Sequence, residues 1–113
     1  MSVASGGGTE IHGLTEVDRL IHEPARLLIV TLLYAVDAAD FLFLLRESGL
    51  SKGNLSSHLS RLESGGYVAI EKTFRGKIPL TICRLSDEGR MAFRRYRQYL
   101  KKVVTSMTRQ ERT

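Results

Sequence analysis

The side chains best suited to chemistry lie between Leu50 and Val68, in LSKGNLSSHLSRLESGGYV. His58 has Ser57 and Ser60 close by, the residue types of a base and its nucleophile. All three would sit on one helix, where they do not form a base–nucleophile–orienter set. Glu63 and Glu71 are not evidently paired, so no enzymatic activity is expected. Cys83 stands alone, and His12, His22 and His58 lack ligand spacing, so no metal or other cofactor is expected. What remains is recognition. Gly53, Ser57, Ser60 and Ser64 fall on one side of the stretch, flanked by Asn54, Ser56 and Arg61, with His58 further round. No acid lies among them, and Glu63 falls towards the leucine side. Small polar residues with one or two cations can approach a surface that is itself polar, negative and shaped. The major groove of duplex DNA is such a surface.

A second set of cations follows. Val68, Ile70, Lys72 and Phe74 alternate with Ala69, Glu71 and Thr73, and another β-like run covers Leu80 to Leu85. Between them lies the loop Arg75-Gly76-Lys77-Ile78-Pro79. Two such runs around a glycine-containing loop predict a hairpin. Its tip carries Arg75 and Lys77, with Lys72 to one side and Arg84 on the return strand. No acid balances the tip. A cationic hairpin can lie along phosphates or reach into a minor groove.

The elements that must position these groups read clearly. Ser51 is a good N-cap, with Leu50 and Leu55 at the staple positions. Leu55, Leu59 and Leu62 then make a narrow apolar stripe, and Gly65-Gly66 ends the helix. Upstream, Asp40 can cap a helix running to Glu47, and Ser48-Gly49-Leu50 is a short turn. Two helices joined in this way form a helix-turn-helix, the first bracing the second. Before them, Pro24 opens a helix that is apolar nearly all round from Leu27 to Tyr34, which marks it as central to the core. Val36 to Ala39 reads as a connection. Leu14 to Ile21 predicts a short helix capped by Thr15 with Asp18, its apolar side Val17, Leu20 and Ile21 serving the core or covering a dimer seam. Residues 1–13 are Gly- and Ser-rich and read as a flexible tail.

The chain has 113 residues, about one domain. Residues 1–50 hold 3 Lys/Arg and 7 Asp/Glu, a net charge of −4, whereas residues 51–113 hold 14 and 5, a net charge of +9. The positive excess begins at the serine-rich stretch, which suits an acidic partner such as nucleic acid. The longest apolar run, Leu27 to Val36, is interrupted by Thr31 and falls short of the ~18 residues of a membrane span. With one cysteine and no visible signal peptide, a cytoplasmic setting is expected.

Ser86 can cap a last helix, with Asp87 and Glu88 in its positive first turn. Along it Phe93, Tyr96, Leu100, Val103 and Met107 are spaced 3, 4, 3, 4, a coiled-coil-like seam suited to a second copy. Arg90, Arg94, Arg95, Arg97, Lys101 and Lys102 read as a solvated face. Residues 109–113 are expected to fray.

With these elements in order, the segment DFLFLLRESGLSKGNLSSHLSRLESGGYVAIEKTFRGKIPLTICRLSDEGRMAF resembles the compact winged-helix transcriptional regulators related to the MarR and ArsR types. GNLSSHLSRLESGGYV and the LSDEGR turn carry the likeness most specifically. The resemblance implies a mainly α fold with a small β-hairpin: a winged helix-turn-helix over residues 14–108, with a C-terminal dimerisation helix at 86–108. It further implies a homodimer on double-stranded DNA, with the recognition helix (about 51–65) in the major groove and the wing (about 68–85) on the flanking backbone or minor groove. The expected contacts are Ser51, Lys52, Asn54, Ser56, Ser57, His58, Ser60 and Arg61 from the helix, and Lys72, Arg75 and Lys77 from the wing. The paired cysteines of metal-sensing ArsR members are missing from the helix at 40–47. Two other readings stand beside this one. The winged helix could meet an acidic protein, or Cys83 could make the regulator redox-responsive. No small-molecule effector is apparent.

Overall fold

The computed structural model describes residues 18–112. The expectations for residues 1–17, including the tail, the Thr15 cap and Val17, lie outside the described residues, as does Thr113. What is described of the first predicted helix is a single turn, in which the His22 N–H donates to the Asp18 carbonyl at 2.7 Å.

Helix α1 (Pro24–Tyr34) begins where Glu23 caps it, its Oε1 accepting the Arg26 N–H at 2.8 Å. Ile29, Val30 and Leu33 are buried in the main core, as the apolar run demands. A short strand, β1 (Ala39–Asp40), follows, and then α2 (Phe41–Ser48), whose N-cap Asp40 accepts the Phe43 N–H at 2.7 Å. Gly49, at φ 71°, makes the left-handed turn that closes α2. Helix α3 (Lys52–Ser64) starts at once, with Ser51 Oγ accepting the Asn54 N–H at 3.2 Å. Its stripe Leu55, Leu59 and Leu62 is buried against the other helices. At its end Gly66 takes φ 84°, and the Tyr67 N–H returns to the Leu62 carbonyl at 2.9 Å.

Strands β2 (Val68–Arg75) and β3 (Ile78–Leu85) form the hairpin, and β1 adds to β3, giving an antiparallel sheet of order β1-β3-β2. Ala39, expected within a connection, belongs to β1. A two-residue strand carries no alternation to detect, and only its pairing of Ala39 with Cys83 and Asp40 with Ile82 defines it. The hairpin is also tighter than the five-residue loop expected. Arg75 pairs with Ile78, leaving Gly76-Lys77 as the turn, with Gly76 at φ 64°. Glycine at the first central position suits a turn that follows the strand twist. Pro79 therefore lies within β3, in the part that β1 does not reach, where a missing N–H is tolerated.

Helix α4 (Asp87–Arg112) is longer than expected and is helical past Arg109, where fraying was predicted. Its first half closes the core. Phe93 packs in the main cluster, with its ring 4.8 Å from Tyr34, while Ala92 and Tyr96 bury Ile21 in a second cluster. His22 Nδ1 and the Tyr96 hydroxyl share a 2.7 Å hydrogen bond.

Candidate nucleic-acid interface

The leucine stripe of α3 fixes what the helix offers outward. With Leu55, Leu59 and Leu62 inward, Asn54, Ser57, Ser60, Arg61 and Ser64 are exposed, together with Ser51, Lys52, Gly53 and Ser56 at its start. A Cβ at Gly53 would meet nothing within 4 Å, so this face is open and low in relief. On one flank a groove of about 620 Å³ separates α3 from the sheet. It is lined by Ser56, Ser60 and Glu63 from α3, and by Ile70, Lys72 and Thr81 from the wing, with Phe41 and Leu59 at its floor. Register explains the wing's share: Ile70 pairs with Cys83 and Lys72 with Thr81, and paired residues point to the same face. Phe41 reads in the sequence only as a residue available for burial and Thr81 carries no signal, because only the third dimension brings them beside Ser56.

One expectation about α3 needs correction. His58 does not face outward. It is half-buried on the opposite flank, where its Nδ1 accepts from Arg26 Nη1 at 3.3 Å and lies 3.9 Å from Glu23 Oε1. Arg26 is itself fixed by its Nε, which donates to the Leu20 carbonyl at 2.6 Å. The ring thus ties α3 to the start of α1. Glu63 lines the groove beside Leu59, one turn earlier on the helix. One carboxylate therefore stands at the edge of an otherwise acid-free surface.

The cations of this surface find no ion-pair partner among the described residues. No carboxylate among those residues lies within 4.0 Å of Lys52, Arg61, Lys72, Arg75 or Lys77. Arg84 differs: its Nη2 reaches Glu71 Oε1 at 3.4 Å on the other face of the hairpin. Unpaired exposed cations keep their full attraction for an external polyanion.

The arginines of α4 are not simply a solvated face. Arg90, Arg94 and Arg97 gather round Tyr34 with guanidinium carbons 5.5, 5.8 and 5.3 Å from its ring centre. Arg94 Nε donates to the Tyr34 hydroxyl at 2.9 Å, which with the neighbouring positive charges draws that phenol below its ordinary value. Arg90 donates to the carbonyls of Tyr34 and Val36 at 3.4 and 3.0 Å, satisfying the open end of α1.

The predicted seam divides in two. Ile21, Phe93 and Tyr96 are already covered by the chain's own core and are not available to a partner. Leu20 is half-buried against that core too. Past them Leu100 and Val103 are half-buried, and Val104 and Met107 are each 59 % exposed. Val104 falls outside the 3, 4, 3, 4 spacing and was missed for that reason.

Cys83 is fully buried between β1 and β2, opposite Ala39 and Ile70. Burial first, then the nearby Glu63 and Asp40 carboxylates, push its thiol up to about 11. A thiol that is both inaccessible and protonated is a poor sensor, which removes the physical basis of the redox reading. Among the described residues, no three His, Cys, Asp or Glu side chains could hold a metal ion. No described helix is long and apolar enough to cross a membrane.

Comparison with known proteins agrees with this fold. The chain is 33 % identical over 79 residues, 69 % of its length and 85 % of the relative's, to an uncharacterised protein of Methanocaldococcus jannaschii. Among solved structures, a transcriptional regulator homologue from Pyrococcus horikoshii OT3 is 27 % identical, with a TM-score of 0.82 over 88 % of this chain and 97 % of that one. A MarR-family regulator from Silicibacter pomeroyi, 18 % identical, shares the fold with a TM-score of 0.60 over 93 % of this chain and 70 % of that one. The family profile of the winged helix DNA-binding domain matches residues 25–104, and the chain belongs to that family.

Proposed function

We propose that the chain is a transcription regulator that binds specific double-stranded DNA as a homodimer. Helix α3 enters the major groove, and the wing follows the flanking backbone or minor groove. One observation carries this reading: Ser56 and Ser60 of the exposed small polar face of α3 border one groove with Lys72 of the wing. Asn54, Ser57 and Arg61 read base edges, and Lys52, Lys72, Arg75 and Lys77 neutralise phosphates. Ser51, Ser56 and Ser60 supply hydroxyls at the margins. The second copy docks along the apolar strip Leu100, Val103, Val104 and Met107 of α4. The relative from Pyrococcus horikoshii, described as a transcriptional regulator homologue, supports the regulatory part. A protein-docking role fits less well, because the outer face of α3 has none of the large aromatic anchors that dominate protein interfaces.

Selection of bound duplexes from a random pool at two salt concentrations tests the proposal. The expected winners are near-palindromes with half-sites about one turn, roughly 34 Å, apart. Their binding falls steeply with salt as counterions are released. A pool that yields no enriched sequence at either concentration refutes specific DNA binding.

A further inference from the structure

The tip of the wing is apolar as well as cationic. Phe74 is 67 % exposed and Ile78 68 %, and Pro79 beside them is exposed too. None of the three belongs to either core cluster. Register sorts them: Phe74 pairs with Pro79 on the face shared by Lys72 and Thr81, the face that borders the α3 groove, while Ile78 pairs with Arg75 on the other. Gly76-Lys77 turns between them. The one acid of the hairpin, Glu71, is occupied by Arg84 further down.

An exposed phenyl ring on a hairpin tip that also carries Lys72 on the same face, and Arg75 and Lys77 at the turn, defines its partner's chemistry. That partner must be polyanionic at its edges and apolar within. Duplex DNA meets both demands in the minor groove, where phosphates rim stacked bases that an apolar side chain can part. We propose that Phe74, backed by Pro79, is a wedge that the wing inserts at a base step in the minor groove flanking the α3 site, with Arg75 and Lys77 on the phosphates either side. This rests on the DNA-binding reading and adds a source of specificity to it. The step beneath the ring is a flexible pyrimidine–purine step, because such steps unstack at least cost.

The test uses the full chain with a selected duplex carrying 2-aminopurine beneath the wing. The wild-type chain raises the probe's fluorescence and bends the duplex. Phe74→Ala loses both signals and binds about tenfold more weakly, the scale expected for withdrawing a buried phenyl ring. Its salt slope is unchanged, since no counterion is involved, whereas Lys77→Ala lowers the slope. Phe74→Leu retains most of the fluorescence rise. Because Phe74 contributes to no core, each variant keeps the wild-type unfolding midpoint. Wild-type affinity and fluorescence in Phe74→Ala overturn the wedge and leave DNA binding standing. A wild-type chain that binds no duplex overturns both, and an acidic protein captured through Phe74 in its place assigns the tip to that partner.

Discussion

Gly89 presses its backbone against the Tyr67 carbonyl so closely that a Cβ at Gly89 would overlap it. The same carbonyl accepts the Ser86 N–H at 2.9 Å. Ser86 Oγ in turn donates to the Gly66 carbonyl at 2.6 Å and accepts the Gly89 N–H at 3.0 Å. The end of α3, the base of the wing and the start of α4 are thereby fixed at one point, which sets the angle between α3 and the wing. Gly89→Ala forces a methyl against the Tyr67 backbone, a misfit that costs ~1–3 kcal/mol. Gly53→Ala, with open space around it, should gain ~0.5–1 kcal/mol from the better helix former. Urea unfolding of both variants measures the contrast, and equal midpoints would contradict the close contact at Tyr67.

Arg61 and His58 lie three residues apart on α3 and have opposite expected phenotypes. Arg61→Ala weakens duplex binding by ~1–3 kcal/mol if the guanidinium reads a guanine, and relaxes the preference at that base. His58→Ala removes a half-buried contact with Arg26 and lowers stability by about 1 kcal/mol. The DNA preference of the folded His58→Ala protein is unaltered. Duplex-binding titrations alongside denaturation curves separate the two. A change of sequence preference in His58→Ala, with no loss of stability, would return that ring to the interface.

The contrast between these residues shows what one dimension can reveal. The leucine stripe, the Ser51 cap and the Gly65-Gly66 stop are local signals, so α3 and its outward serines could be read directly. His58 sits at the margin of the wheel, where a few tens of degrees decide between groove and core, and its partners Glu23 and Arg26 come from another helix. Phe93 and Tyr96 keep perfect seam spacing, yet the core takes them first, because a periodic stripe does not say which surface covers it. LSDEGR was recognisable as a pattern, but the reason for its glycine is a carbonyl twenty-two positions upstream. The Arg90–Tyr34 cluster left no sequence signal, since arginines on a long helix look alike whether solvated or stacked.

The division of the α4 stripe leads to an asymmetric prediction for assembly. Met107→Glu places a carboxylate in the exposed part of the strip. The proposed dimer predicts that this variant sediments as a monomer where the wild type sediments as a pair, with the fold unaltered by circular dichroism. Tyr96→Glu, by contrast, buries a charge within the chain's own core and should unfold it, since an unpaired buried charge costs several kcal/mol. A Met107→Glu protein that stays dimeric removes the end of α4 from the interface.

Cys83 gives stability a defined pH dependence. Its folded thiol is pushed from an ordinary value of 9.0 up to about 11, chiefly by burial. Below pH 9 the thiol is protonated in both states and its full contribution is present. As pH rises through the window from 9 to 11, the unfolded chain ionises while the folded one does not, so stability falls. The loss approaches ~2–3 kcal/mol at the upper end. Tyrosines titrate nearby, so the informative quantity is the difference between the wild type and Cys83→Ala. Cys83→Ala starts less stable, because it leaves a small void beside Ile70, but its decline across the window is shallower. Native Cys83 should also resist iodoacetamide at pH 8 until denaturant is added. Parallel pH profiles for the two proteins, or rapid alkylation of the folded chain, would mean that the thiol is neither buried nor held protonated.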